Sequence, residues 1–153
     1  MSRIIFGLLL LVAIFSQATV IPAVFPWGVI PNTVLVLIFL WCGWCGPREA
    51  LFWIFIAGIL LDVITMGTLG VNVLALLPVF LLAAVAKEYV FHSSAIVPAL
   101  LMVVATVVHG LVLCLAHGNS PGLYLLIQAA MHGTLVLVLF PFVARATREV
   151  RRY

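Results

Sequence analysis

The stretch AIVPALLMVVATVVHGLVLCLA, residues 95–116, decides the fold of this chain. It contains no Asp, Glu, Lys or Arg. A helix needs about 20 mostly apolar residues to cross a hydrocarbon core of about 30 Å. Strands of a membrane barrel would alternate apolar and polar side chains, whereas this stretch is apolar on every face. It therefore predicts a transmembrane α-helix.

The rest of the chain has the same character. Of its 153 residues, 67% are hydrophobic and 7% are charged, whereas a soluble domain is about half apolar and about a quarter charged. Breaks at Pro, Gly and polar residues divide the chain into six apolar segments. We predict an all-α membrane protein, a single compact bundle of about six transmembrane helices, followed by a basic tail at residues 144–153. The predicted spans are Ile4–Val20, Val29–Trp44, Ala50–Thr65, Val71–Ala86, Ala95–Ala116 and Leu123–Val143.

All seven basic residues fall on one side of this layout. Basic residues in short loops mark the cytoplasmic side of a membrane, so both termini are predicted to lie in the cytoplasm. The four arginines of the tail are expected to face anionic lipid headgroups or a partner protein, and a plain stop-transfer flank of the last span is the alternative. The basic residues are Arg3, Arg48, Lys87, Arg145, Arg148, Arg151 and Arg152.

The first span has a second interpretation. Arg3, an apolar run and then Ser16-Gln17-Ala18 also fit a cleaved signal peptide. We expect the span to be retained, because the apolar run continues through Val20 and Ile21.

Asp62 is the one acidic residue well inside a predicted span. A carboxylate there costs several kcal/mol unless it is protonated, paired or facing water. We expect it to pair with His109, which lies at a similar depth, or to cap the backbone around Gly67 and Gly70. A proton relay is the functional alternative, but it needs a chain of titratable groups across the membrane. Gly58 shares the face of Asp62, which favours a close approach of another helix there.

The pair Cys42 and Cys45 has the spacing of a dithiol redox centre. A reactive thiol needs a helix N-terminus or a nearby cation, and these two lie at the end of a span on the predicted cytoplasmic side. Packing thiols are therefore the expectation for both and for Cys114. The sequence predicts no catalytic residue, metal site, cofactor or nucleic-acid partner.

The region from Pro31 through Gly70 resembles the MreD family of rod shape-determining proteins. A proline opens an apolar span, a short Gly46-Pro47 turn follows, and then come FIAGILLDV, residues 55–63, and GTLG, residues 67–70. The resemblance implies a nonenzymatic subunit of the bacterial machinery that builds the lateral peptidoglycan wall, located in the cytoplasmic membrane. It also implies a fold similar to the substrate-binding subunits of energy-coupling-factor vitamin transporters.

Two functions from different classes follow. The first, implied by the resemblance, is a membrane scaffold that binds the single-span protein MreC and, with it or indirectly, wall synthases and the MreB filament. Gly58, Asp62, Gly67, Gly70 and His109 are the candidate structural or partner-contacting residues. The alternative is a vitamin-type carrier, which needs an outward pocket lined by polar groups. His109, Asp62, Asn72 and Gln128 are the candidates for that pocket.

Overall fold

A computed structural model of the chain describes residues 3–24, 31–90, 96–120 and 122–150, without side-chain detail at 20–24, 47, 86–90 and 141–150. Every described residue lies in an α-helix or in a short connection. The prediction of an all-helical protein is therefore confirmed for the described residues, in which six helices coincide with the six apolar segments. They are α1 (Arg3–Val24), α2 (Thr33–Cys45), α3 (Pro47–Ile64), α4 (Val71–Val90), α5 (Ile96–His117) and α6 (Leu123–Val150).

Capping residues, rather than hydropathy, set the ends of α2. The Asn32 side chain accepts a hydrogen bond from the backbone N–H of Leu35 at 3.0 Å, so α2 begins at Thr33. At the other end Gly46 has a φ of 101°, and Pro47 opens α3. The 13 residues of α2 extend about 20 Å, shorter than a hydrocarbon core of about 30 Å.

Helix α2 lies at the centre of the bundle, where it contacts all five other helices. Most of its side chains are buried, including Leu35, Ile38 and Cys42, none of which is exposed. A helix that is apolar all round is stable only when it is surrounded. The core therefore forms around α2.

The outer surface of the bundle is apolar. Large side chains such as Phe55 on α3, Leu74 on α4 and Leu115 on α5 are exposed. Two stretches with described side chains, Ile96–His117 and Leu123–Phe140, are long and apolar enough to cross a membrane by length and composition. This surface is consistent with a helical membrane protein.

One end of the bundle joins α1 to α2 and α3. The Arg3 guanidinium forms an ion pair with the Glu49 carboxylate. One helical turn away from Arg3, the Phe6 ring stacks on Trp41 with 3.9 Å between ring centroids. These contacts place Arg3 at the same end of the bundle as Arg48.

Candidate functional site

Asp62 caps the start of α4 from the neighbouring helix. It is 1% exposed, and its Oδ2 accepts the backbone N–H of Gly70 at 2.6 Å. Its Oδ1 accepts the backbone N–H of Asn72 at 3.1 Å and the side-chain amide of Asn72 at 2.8 Å. The first N–H groups of a helix lack partners within the helix, and Gly70 has no side chain to supply one. Asp62 therefore does the work of an N-cap residue for α4.

This arrangement decides between the two partners expected for Asp62. The Asp62 carboxylate accepts hydrogen bonds from the backbone of Gly70 and from Asn72. His109 does not form a hydrogen bond with it. The Nε2 atom of His109 is buried without a hydrogen-bond partner in the described part of the chain. The helix N-terminus also attracts negative charge, which gives a physical reason for a carboxylate at this depth.

Two glycines of the same region are required by geometry. A Cβ on Gly58 would lie 2.7 Å from both the backbone N and the Cα of Val73, so α3 and α4 touch there. Gly70 has a φ of 93°, a conformation that L side chains rarely adopt. A Cβ on Gly67 would meet only ordinary contacts, the nearest being Thr65 Oγ1 at 3.4 Å.

A second buried polar network joins α2, α5 and α6. The backbone N–H of Asn32 donates to His132 Nε2 at 2.8 Å, and His132 Nδ1 lies 3.0 Å from the Thr106 hydroxyl. That hydroxyl donates its proton to the Met102 carbonyl at 2.9 Å, so its oxygen accepts from His132. Nδ1 of His132 therefore carries a proton while Nε2 accepts, which describes a neutral imidazole.

His109 lies on α5 in the wall of a cavity, together with Gln128 on α6. Asp62 and Asn72 bond to each other instead and are absent from the residues lining that cavity. The four candidates for a carrier pocket are thus divided between two sites.

A comparison of the chain with models of protein families gives one match. The family model described as rod shape-determining protein MreD matches residues 1–149. The chain belongs to the MreD family. No curated protein and no solved structure matches the chain.

Membership of the MreD family confirms the resemblance read from Pro31 through Gly70. It makes the chain part of a family of membrane proteins with a role in rod-shape determination rather than in a known enzymatic reaction. Within that region, Gly58, Asp62 and Gly70 each have a structural role where α3 meets α4. Their use in binding a partner stays a prediction.

Within the described residues of this MreD-family chain, none of the three cysteines forms a disulfide bond. Cys42 is completely buried, and Cys114 Sγ lies 3.2 Å from the hydroxyl of Tyr124. A thiol with no exposed surface is poorly placed for exchange with a partner. Among the described residues, no group of three or more His, Cys, Asp and Glu is arranged to hold a metal ion.

In the basic tail, only the backbone of residues 144–150 is described. Helix α6 continues to Val150, so Arg145 and Arg148 lie on helical backbone without described side chains. Arg151 and Arg152 lie outside the described residues. Their expected contact with lipid headgroups or a partner stays a prediction.

Sequence reasoning missed the network around His132. The sequence shows His132 as an isolated polar residue in an apolar segment, and its partners Asn32 and Thr106 lie in two other segments. The sequence offers Asn72 as a candidate for the carrier pocket, whereas in the structure its side-chain amide donates to Asp62 Oδ1. Directly before α4 the sequence has Gly70, which has no side chain that could cap the helix.

Proposed function

We propose that this chain is a nonenzymatic scaffold subunit of the bacterial elongation complex, binding an MreC-like single-span protein within the membrane and supporting lateral peptidoglycan synthesis. Wall synthases and the MreB filament are proposed to join through that partner. The observation that carries the proposal is the match of residues 1–149 to the family of rod shape-determining proteins.

The distribution of polar groups supports a scaffold. Asp62 and His132, two buried polar side chains, are engaged in holding helices together. The turn from Thr65 to Gly70 is short and is itself fixed by Asp62. A partner would therefore meet mainly helix faces, and contact between transmembrane helices relies on close packing.

We propose the bacterial cytoplasmic membrane as the location, with several membrane crossings and both termini inside. The basic residues at the predicted inner ends support this orientation, and the proximity of Arg3 to Glu49 agrees with it. The proposed fold similarity to energy-coupling-factor transporter subunits rests on the family resemblance alone.

A growth experiment tests the cellular role. Removing the gene from the rod-shaped bacterium that carries this chain should give rounded cells, and a plasmid copy should restore rods. A matched copy with Val63→Ala, a change at a side chain that is 58% exposed, serves as the control for expression. Rods that persist without the gene would exclude the proposed role.

Photo-crosslinking tests the partner contact. A photoreactive residue is placed in turn at exposed positions of each helix, for example at Leu8 and Val12, which are one turn apart on α1. The proposal predicts adducts with a single-span protein at positions that share one helix face. Adducts confined to the turns, for example at Thr68, would contradict a contact made by the helices.

The carrier alternative gains no support from the comparisons. The matching family is one of shape-determining proteins, and the structure divides the four expected pocket residues between two sites.

A further inference from the structure

A cavity of about 400 Å³ lies where the later parts of α1, α3 and α5 meet the starts of α2 and α6. Its position is at the opposite end of the bundle from Arg3 and Arg48. The wall includes six polar side chains: Gln17, Asn32, Thr65, His109, Tyr124 and Gln128.

Among the described residues, two polar atoms of this wall are buried and find no hydrogen-bond partner. They are Oε1 of Gln17 and Nε2 of His109, and the His109 side chain is 4% exposed. Leaving a buried acceptor or donor unsatisfied costs about 1–3 kcal/mol, so such atoms in a native structure call for an explanation. A molecule in the cavity with its own donors and acceptors supplies one.

Other polar groups of the wall already have partners. The Thr65 hydroxyl donates to the Leu61 carbonyl at 2.7 Å, and the Asn32 side chain caps α2. The unmet hydrogen bonds are thus concentrated on Gln17 and His109, which come from α1 and α5.

The charge of the wall restricts the ligand. Among the described residues, the lining contains no Asp, Glu, Lys or Arg. An ion bound against this wall would give up part of its hydration without gaining a counterion, which is costly. Amide, imidazole and hydroxyl groups instead match a ligand that both donates and accepts hydrogen bonds.

The size of the cavity restricts the ligand further. Its volume lies near the lower end of the range of about 300–1,000 Å³ for small-molecule sites. At about 30 Å³ per water in the liquid, it has room for on the order of ten waters. A polar group of several heavy atoms therefore fits, and it can displace these waters.

We propose that this cavity binds an uncharged molecule rich in hydroxyl or amide groups, with Gln17 accepting one hydrogen bond and His109 forming another. The same chemistry has two possible sources, a free solute and the headgroup of an uncharged lipid. The proposal concerns binding and does not require transport or the scaffold function.

The test uses the full chain purified in detergent and follows its thermal unfolding as each probe is added. Glucose and acetamide are the soluble neutral probes, gluconate is the charged match of glucose, and monoglucosyl diacylglycerol is the lipid probe. Sugars also stabilise proteins without binding them, so each response is compared with that of a variant whose cavity is filled.

Leu113→Phe fills the cavity, because Leu113 is part of its wall. Leu115→Phe is the matched control on the same helix, since Leu115 is 83% exposed and does not line the cavity. Gln17→Leu keeps the approximate shape of the side chain and removes an acceptor that no described residue satisfies. It preserves the test if Leu113→Phe fails to fold.

We expect a neutral probe to raise the unfolding temperature of the wild type and of Leu115→Phe more than that of Leu113→Phe. Gln17→Leu should weaken that binding roughly tenfold, the effect of one lost hydrogen bond at the upper end of its usual range. A response to glucose or acetamide identifies a solute site, and a response to the glycolipid alone identifies a headgroup site. Equal responses of all variants to every neutral probe, or gluconate binding as tightly as glucose, would overturn the proposal.

Discussion

Asp62 shows how a single residue can look functional in a sequence and have a structural role in the fold. Its burial inside an apolar segment indicated that something must compensate for the carboxylate, and that expectation holds. Which partner does so depends on the turn from Thr65 to Gly70, where Met66 has a φ of 52° and Gly70 a φ of 93°. Those backbone angles bring the start of α4 back over Asp62.

Replacing Asp62 by Ala should destabilise the protein by about 0.5–2 kcal/mol, the usual cost of removing a helix N-cap. The affected donors are on Gly70 and Asn72. Thermal unfolding in detergent measures the loss, with Val63→Ala as a control at the neighbouring exposed position. If the two variants unfold at the same temperature, Asp62 is not the cap of α4.

Two double-mutant cycles separate the polar sites. His132→Leu and Thr106→Val remove the two ends of one hydrogen bond, so their effects on the free energy of unfolding should be coupled by about 0.5–3 kcal/mol. Asp62→Ala and His109→Ala share no hydrogen bond, so their effects should add within about 0.5 kcal/mol. Additive losses in the first pair, or strong coupling in the second, would contradict the hydrogen bonding described here.

At the scale of helices, the packing of α3 on α4 depends on one glycine. Gly58→Ala places a Cβ against the backbone of Val73, and backbone can move only if the helices separate. The expected cost is about 1–3 kcal/mol, typical of overpacking. Unfolding measurements in detergent report it.

Gly43→Ala is the matched control for this change. Gly43 also lies in a helix, and a Cβ there would meet nothing within 4 Å. The substitution should leave stability unchanged or raise it by up to about 1 kcal/mol through helix propensity. Equal effects at Gly43 and Gly58 would show that α3 and α4 do not touch as described.

Hydropathy predicted the existence of the helices well and their ends less well. An apolar run signals burial from water, so six runs gave six helices. It carries no information on where a chain stops being helical inside an apolar region. The start of α2 at Thr33 is set by the Asn32 cap, and the central place of this short helix follows from packing with all the others.

At the scale of the whole molecule, side-chain contacts show which residues lie at each end of the helix bundle. Arg3 meets Glu49 at one end, while the turn after α3 and the cavity wall at Tyr124 lie at the other. The positions of the basic residues alone predict which ends of the helices face the cytoplasm, because basic residues resist transfer across a membrane. The sequence could not locate the cavity, whose polar residues come from α1, α5 and α6 and from the residues that cap α2 and α3.

The orientation itself is testable by cysteine labelling. Cys42, Cys45 and Cys114 are first replaced by Ala, and single cysteines are then introduced at Thr68 and Ser120, both exposed and both in turns predicted to lie outside. A membrane-impermeant maleimide should label both in intact cells, because each turn would face the external medium.

The matched position for the opposite side is the C-terminus. A cysteine added after Tyr153 should be labelled only once the cells are permeabilised, because the four arginines of the tail favour the cytoplasmic face. The even number of predicted spans ties this end to Arg3, so the two termini must behave alike. Three helices, α4, α5 and α6, separate Thr68 from the tail, so three crossings would put these two positions on opposite sides of the membrane. Labelling of both the added cysteine and Thr68→Cys in intact cells would therefore contradict the six-span topology.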